Sequence, residues 1–73
     1  MSLIFKINRI VARLGLDPIE LSGSKDDAKI SFASWSSYHL LYKELMACKR
    51  SMAGYSVDGK YEKKMYTLYV EAV

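Results

Sequence analysis

Apolar residues recur at three- and four-residue spacing from the start of the chain. Leu3, Ile4, Ile7, Ile10, Val11 and Leu14 fall on one side of a helix over residues 3–14, with Lys6, Asn8, Arg9 and Arg13 opposite. Ser2 offers a capping hydroxyl. Gly15 stands where a left-handed residue ends a helix, with Leu16 placed for the accompanying apolar contact. Phe5 and Ala12 widen the apolar face. Asp17-Pro18-Ile19-Glu20 then carries a second start signal, with Asp as cap, Pro at the first helical position and Glu closing a capping box. It predicts one helical turn at most, followed by a polar loop over residues 22–27. From Ala28 to Ala33 the period drops to two, as in a strand with one buried face. Ser34 caps a second helix, expected from Trp35 to about Met52, with Trp35, Tyr38, Leu41, Tyr42, Leu45, Cys48 and Met52 on its buried stripe. Lys49 and Arg50 complement the dipole of its last turn, and Gly54 closes it.

Asp58-Gly59, between Tyr55-Ser56-Val57 and Lys60-Tyr61, predicts a two-residue hairpin turn. Met65 to Ala72 is rich in aromatic and β-branched residues, and places Tyr66, Leu68, Val70 and Ala72 on one strand face. The same stretch also fits a helix through Tyr61, Met65, Leu68, Tyr69 and Ala72. The expected fold class is therefore α+β: a small single domain over residues 1–73, in α-β-α-β-β order, with helices packed on one face of a short sheet. A three-helix all-α bundle is the alternative.

With 73 residues there is one core. Cys48 is the lone cysteine and His39 the lone histidine. Neither an intrachain disulfide nor a zinc site of the usual Cys/His kind can form from them, which leaves packing and association to reinforce so small a body. The hydrophobic share is 51%. Part of that is tyrosine and alanine, which sit comfortably at surfaces, and part should remain as an exposed apolar patch. A single free thiol fits a reducing, cytoplasmic compartment. The apolar start at Leu3-Ile4-Phe5 is broken at once by Lys6 and Arg9, unlike a signal peptide or a membrane span.

The expected chemistry is non-catalytic. A cysteine nucleophile needs a base in reach, yet nine helical steps put His39 about half a turn round from Cys48. Asp26 and Asp27 are neighbours in a polar loop, and Glu20 and Glu44 lie in separate elements, so no pair of acids faces across a cleft. Gly23-Ser24-Lys25 lacks the earlier glycine and the following helix of a phosphate-binding loop. No catalytic, cofactor-binding or metal residue is assigned, and no cofactor, small-molecule substrate or membrane is expected.

What remains is tyrosine mixed with lysine near the C-terminus. A continuous strand would display Tyr61, Lys63, Met65, Thr67 and Tyr69 together. The expected partner-binding residues are Lys60, Tyr61, Lys63, Lys64, Met65 and Tyr69, with part of helix 3–14. Tyrosine gives a large, rigid contact to another protein. This suits a regulator, inhibitor or assembly factor that binds a larger protein or itself. Aromatics beside cations also stack on bases while pairing with phosphates, so nucleic acid is the alternative partner. The net charge of +3 is mild, and Asp58, Glu62 and Glu71 fall inside the same region.

Overall fold

Ser2 and Gly15 bound the first helix as their chemistry dictates. In the computed structural model, which describes residues 2–48 and 52–73, helix α1 spans Leu3–Leu14. Ser2 Oγ accepts from the Phe5 amide. Gly15 turns left-handed at φ 70°, and its N–H and that of Leu16 close on the Ala12 and Val11 carbonyls. Leu3, Ile7 and Val11 are buried, with Ile4, Ile10 and Leu14 packed beside them. Phe5 and Ala12 remain exposed.

Strand β1 (Glu20–Gly23) lies where the capping-box pattern predicted a helical turn. Ile19 N–H donates to the Ser31 carbonyl at 2.8 Å, and Leu21 pairs with Ile30 on strand β2 (Asp27–Phe32). One isolated turn fixes several dihedrals for a single hydrogen bond, so the ladder wins. The polar stretch at 22–27 is thus half strand (Ser22, Gly23 and Asp27) and half a tight turn at Ser24–Asp26. That turn is tied down on three sides. Ser24 N–H donates to the Asp27 carbonyl at 2.8 Å, the carbonyls of Lys25 and Ser24 accept from Leu3 and Ile4 at the start of α1, and Asp26 accepts from Ala72. Two amide donors left over at the helix start are satisfied by the turn.

Helix α2 spans Trp35–Ala47, with Ser34 Oγ accepting from Ser37 N–H. It ends before the expected Met52, at Cys48, whose backbone (φ −85°, ψ 51°) leaves the helical region. Lys49 and Arg50 lie outside the described residues. Leu41 and Leu45 are buried, and Tyr38, Tyr42 and Cys48 pack half-buried against the core. Trp35 departs from the expected buried stripe. It is 53% exposed and stacks on His39, one turn along, at 4.6 Å and 11°.

Strands β3 (Tyr55–Glu62) and β4 (Met65–Ala72) form the last hairpin. The reversal expected at Asp58-Gly59 occurs instead at Lys63-Lys64, with φ of 50° and 61°. Positive φ at both central residues is the geometry of a two-residue hairpin turn, here without glycine or asparagine. Gly59 serves another purpose. It sits mid-strand on the helix side, and a Cβ there would lie 1.9 Å from the Tyr38 hydroxyl. Its missing side chain makes room for a ring on α2.

The four strands form one antiparallel sheet in the order β1-β2-β4-β3. Ala28, Ile30 and Phe32 of β2, with Leu68 and Val70 of β4, meet Leu3, Ile7, Val11, Leu41 and Leu45 in a single core. The α+β architecture with helices on one sheet face is therefore present, and the three-helix alternative is excluded. The element order, α-β-β-α-β-β, contains one strand more than expected. It uses an α-β-β unit twice, the two halves meeting where β2 runs antiparallel to β4. No sequence repeat accompanies this. An Arg13–Glu44 ion pair joins the two helices across the outside of the core.

Candidate functional site

All six expected partner-binding residues fall in the β3–β4 hairpin, pointing three ways. Lys60, Met65 and Tyr69 lie on the sheet face away from the helices. Lys63 and Lys64 form the turn. Tyr61 stands on the helix side, paired with Tyr66, the two rings tilted at 54° with their centres 4.7 Å apart. The expected row Tyr61-Lys63-Met65-Thr67-Tyr69 is thus broken, because a chain reversal at Lys63-Lys64 resets the alternation that a continuous strand would keep.

Tyr69 is the hub of the outer face. Lys60 from β3 and Lys29 from β2 bring their ammonium groups to 5.4 and 5.9 Å from its ring centre. Its hydroxyl donates to Glu62, and Lys29 in turn pairs with Glu20 at 3.2 Å. Beneath these long side chains, Ser31 and Thr67 hydroxyls bond each other at 2.9 Å, at 0% and 1% exposure. Lys29 on this face is thus matched by an acid of the neighbouring strand, while Lys60 rests on the Tyr69 ring. The Glu20 carboxylate, hydrogen-bonded to Lys29, holds that ammonium above its usual pKa.

The hydrogen bond to Glu62, aided by desolvation and by the same carboxylate's charge, raises the pKa of the Tyr69 phenol above 10.0. Folding therefore favours the protonated phenol. This contribution to stability is whole below pH 10, the unfolded value, and is lost as pH rises through the higher folded value. In an alkaline titration of tyrosinate absorbance, one of the six tyrosines is expected to ionise late, and Glu62→Ala to return it to the ordinary range. An unchanged titration in that variant would show that Glu62 does not control it.

The edge of β3 is the feature that sequence reasoning missed. Glu62 and Met65 flank a two-residue turn, which makes them a hydrogen-bonded pair. At the other end Val73 N–H donates to the Gly54 carbonyl at 2.7 Å, in the same phase. Alternation then turns the N–H and C=O groups of Ser56, Asp58, Lys60 and Glu62 towards β4. Those of Tyr55, Val57, Gly59 and Tyr61 face outward. The Tyr55 amide is taken by the Met52 carbonyl. Among the described residues, the outward backbone groups of Val57, Gly59 and Tyr61 have no partner and form an open ladder, with Tyr61 itself 62% exposed. The period-two pattern Tyr55, Val57, Gly59, Tyr61 was the signal for this strand, masked by the turn propensity of Asp58-Gly59.

Between the end of α2 and the first half of β3 runs an open groove of about 380 Å³, lined chiefly by Met46, Met52, Tyr55 and Val57. Among the described residues no three or more His, Cys, Asp and Glu side chains gather as a metal site, and no helix is long and apolar enough to cross a membrane. The Cys48 thiol lies 3.7 Å from Glu44, while the His39 ring lies on Trp35. No family model matches the chain, and comparison with curated proteins and with solved structures finds no match.

Proposed function

We propose that this protein is a small non-catalytic binding module, a regulator, inhibitor or assembly factor whose partner is another protein met through the β3–β4 hairpin. The observation that carries this reading is the open edge of β3 with Tyr61 exposed beside it. Unpaired backbone groups next to a large rigid aromatic suit strand addition, in which main-chain bonds give affinity and flanking side chains give selectivity. The outer face supports the same reading. Lys29 is matched by Glu20, Tyr69 is bonded to Glu62, and the ring that would stack on a base already carries two ammonium groups.

One observation favours nucleic acid as the partner instead: Lys63 and Lys64 share the exposed hairpin tip, with Lys60 on the adjoining strand. Anisotropy titration with mixed-sequence single- and double-stranded DNA and RNA separates the two readings. No saturable binding is expected even at low ionic strength. Binding that falls steeply with salt, with a slope flattened by Lys63→Ala/Lys64→Ala, would overturn the protein-binding reading in favour of the nucleic-acid one.

A further inference from the structure

We infer that the partner at the β3 edge is a second copy of this chain, its own β3 pairing antiparallel across a two-fold axis at Gly59. The inference rests on the protein-binding reading and names the partner. The two sheet edges are unlike. The β1 edge is four residues long, and the turn that follows it is tied to the start of α1. The β3 edge is eight residues long and contains neither proline nor a bulge. Sheet proteins blunt such edges unless they are used.

The outward phase of Val57, Gly59 and Tyr61 allows one symmetric pairing centred on a residue with outward backbone groups in the middle of this ladder. Gly59 then faces Gly59 of the second copy, and Val57 faces Tyr61 of the second copy. On the outer face the same register sets Asp58 of each copy opposite Lys60 of the other. Two opposite-charge cross-strand pairs result, related to each other by the symmetry. On the helix side the exposed Tyr61 of each copy comes to lie over the half-buried Val57 of the other. That position borders the groove lined by Met46, Tyr55 and Val57. The bare backbone at Gly59 removes side-chain bulk from the axis, where Tyr38 of each copy already fills the helix side. The axis runs perpendicular to the sheet, so the product is a continuous eight-stranded sheet with all helices on one face.

Charge exchange tests the register directly. Asp58→Lys alone sets lysine against lysine at both pairs, and Lys60→Asp sets acid against acid. The double variant restores both pairs with their signs reversed. In sedimentation equilibrium the wild-type protein is expected to be dimeric. Either single variant should weaken the dimer at least about tenfold, and the double variant should recover most of that loss. Circular dichroism establishes that each variant is folded. Amide exchange gives a second readout that needs no variant: the Val57, Gly59 and Tyr61 amides should be protected at high protein concentration and lose protection on dilution. A protein that is monomeric at every concentration overturns the inference while leaving the protein-binding reading to the nucleic-acid titration. A dimer indifferent to both single charge reversals, with those three amides unprotected, also overturns it, since association then uses another surface.

Discussion

Gly23→Ala is expected to lower the stability of this protein by about 2–4 kcal/mol, the largest effect of any single methyl group added to the chain. A Cβ at this position would lie 2.4 Å from the Asp27 carbonyl oxygen and 2.7 Å from Ala28 Cα. Both obstacles are backbone, so relief requires the β1–β2 turn itself to open. The turn is not free to do so. Its Ser24 and Lys25 carbonyls hold the first amides of α1, and its Asp26 carbonyl holds the Ala72 amide of β4. Opening it disturbs one strand pair, one helix start and the end of the central strand together. A domain of this size has roughly 4–11 kcal/mol in total, so the melting temperature should fall by more than about 10 °C. A Gly23→Ala variant that melts within a degree or two of wild type would mean that the turn has more slack than its hydrogen bonds imply.

Gly59→Ala differs, because its obstacle is a side chain. The added Cβ meets the Tyr38 hydroxyl at 1.9 Å and the ring carbons behind it at 3.0 and 3.3 Å. The ring must leave its place, where it lies near Tyr66 at 5.9 Å and Tyr42 at 6.3 Å. A cost of about 1–3 kcal/mol is expected in the wild-type background. In a Tyr38→Leu background the same change should become neutral or mildly stabilising, since alanine in a strand loses less backbone entropy than glycine, by about 0.5–1 kcal/mol. A double-mutant cycle by chemical denaturation reads this coupling. Equal costs in both backgrounds would show that strand geometry, and not the approach of Tyr38, demands the glycine.

These two glycines also mark where local reading of the chain succeeds and fails. Helix α1 was legible to the residue, because its apolar spacing, its Ser2 cap and its Gly15 stop all act within one or two turns. Strands β2 and β4 were legible for the same reason, through alternation at neighbouring positions. Strand β1 was hidden, because Asp17-Pro18-Ile19-Glu20 carries a helix signal that loses only when Leu21 meets Ile30. The last turn was misplaced, because the strongest local turn pair, Asp58-Gly59, lies mid-strand, where the space beside Gly59 is taken by a tyrosine twenty-one residues earlier. Lys63-Lys64 then reverses the chain with no turn propensity of its own. The six residues of the expected surface lie in one hairpin but do not share a face. Their directions followed from the turn, and so could not be read before the turn was placed.

The junction of the two α-β-β halves has a consequence for how the molecule comes together in time. Each hairpin closes between near neighbours, the kind of event that takes about 1–10 μs. The β2–β4 seam joins residues far apart in the chain, Phe32 with Tyr66 and Asp27 with Glu71. The whole of α2 and β3 lies in the loop that must close before any of these contacts forms, and that entropy is spent before the core rewards it. The rate-limiting barrier is therefore expected at the seam, where Ile30 faces Leu68 and Ala28 faces Val70. Truncating Ile30 or Leu68 is expected to slow folding, whereas changes at either hairpin tip should mainly hasten unfolding, as a chevron analysis would read.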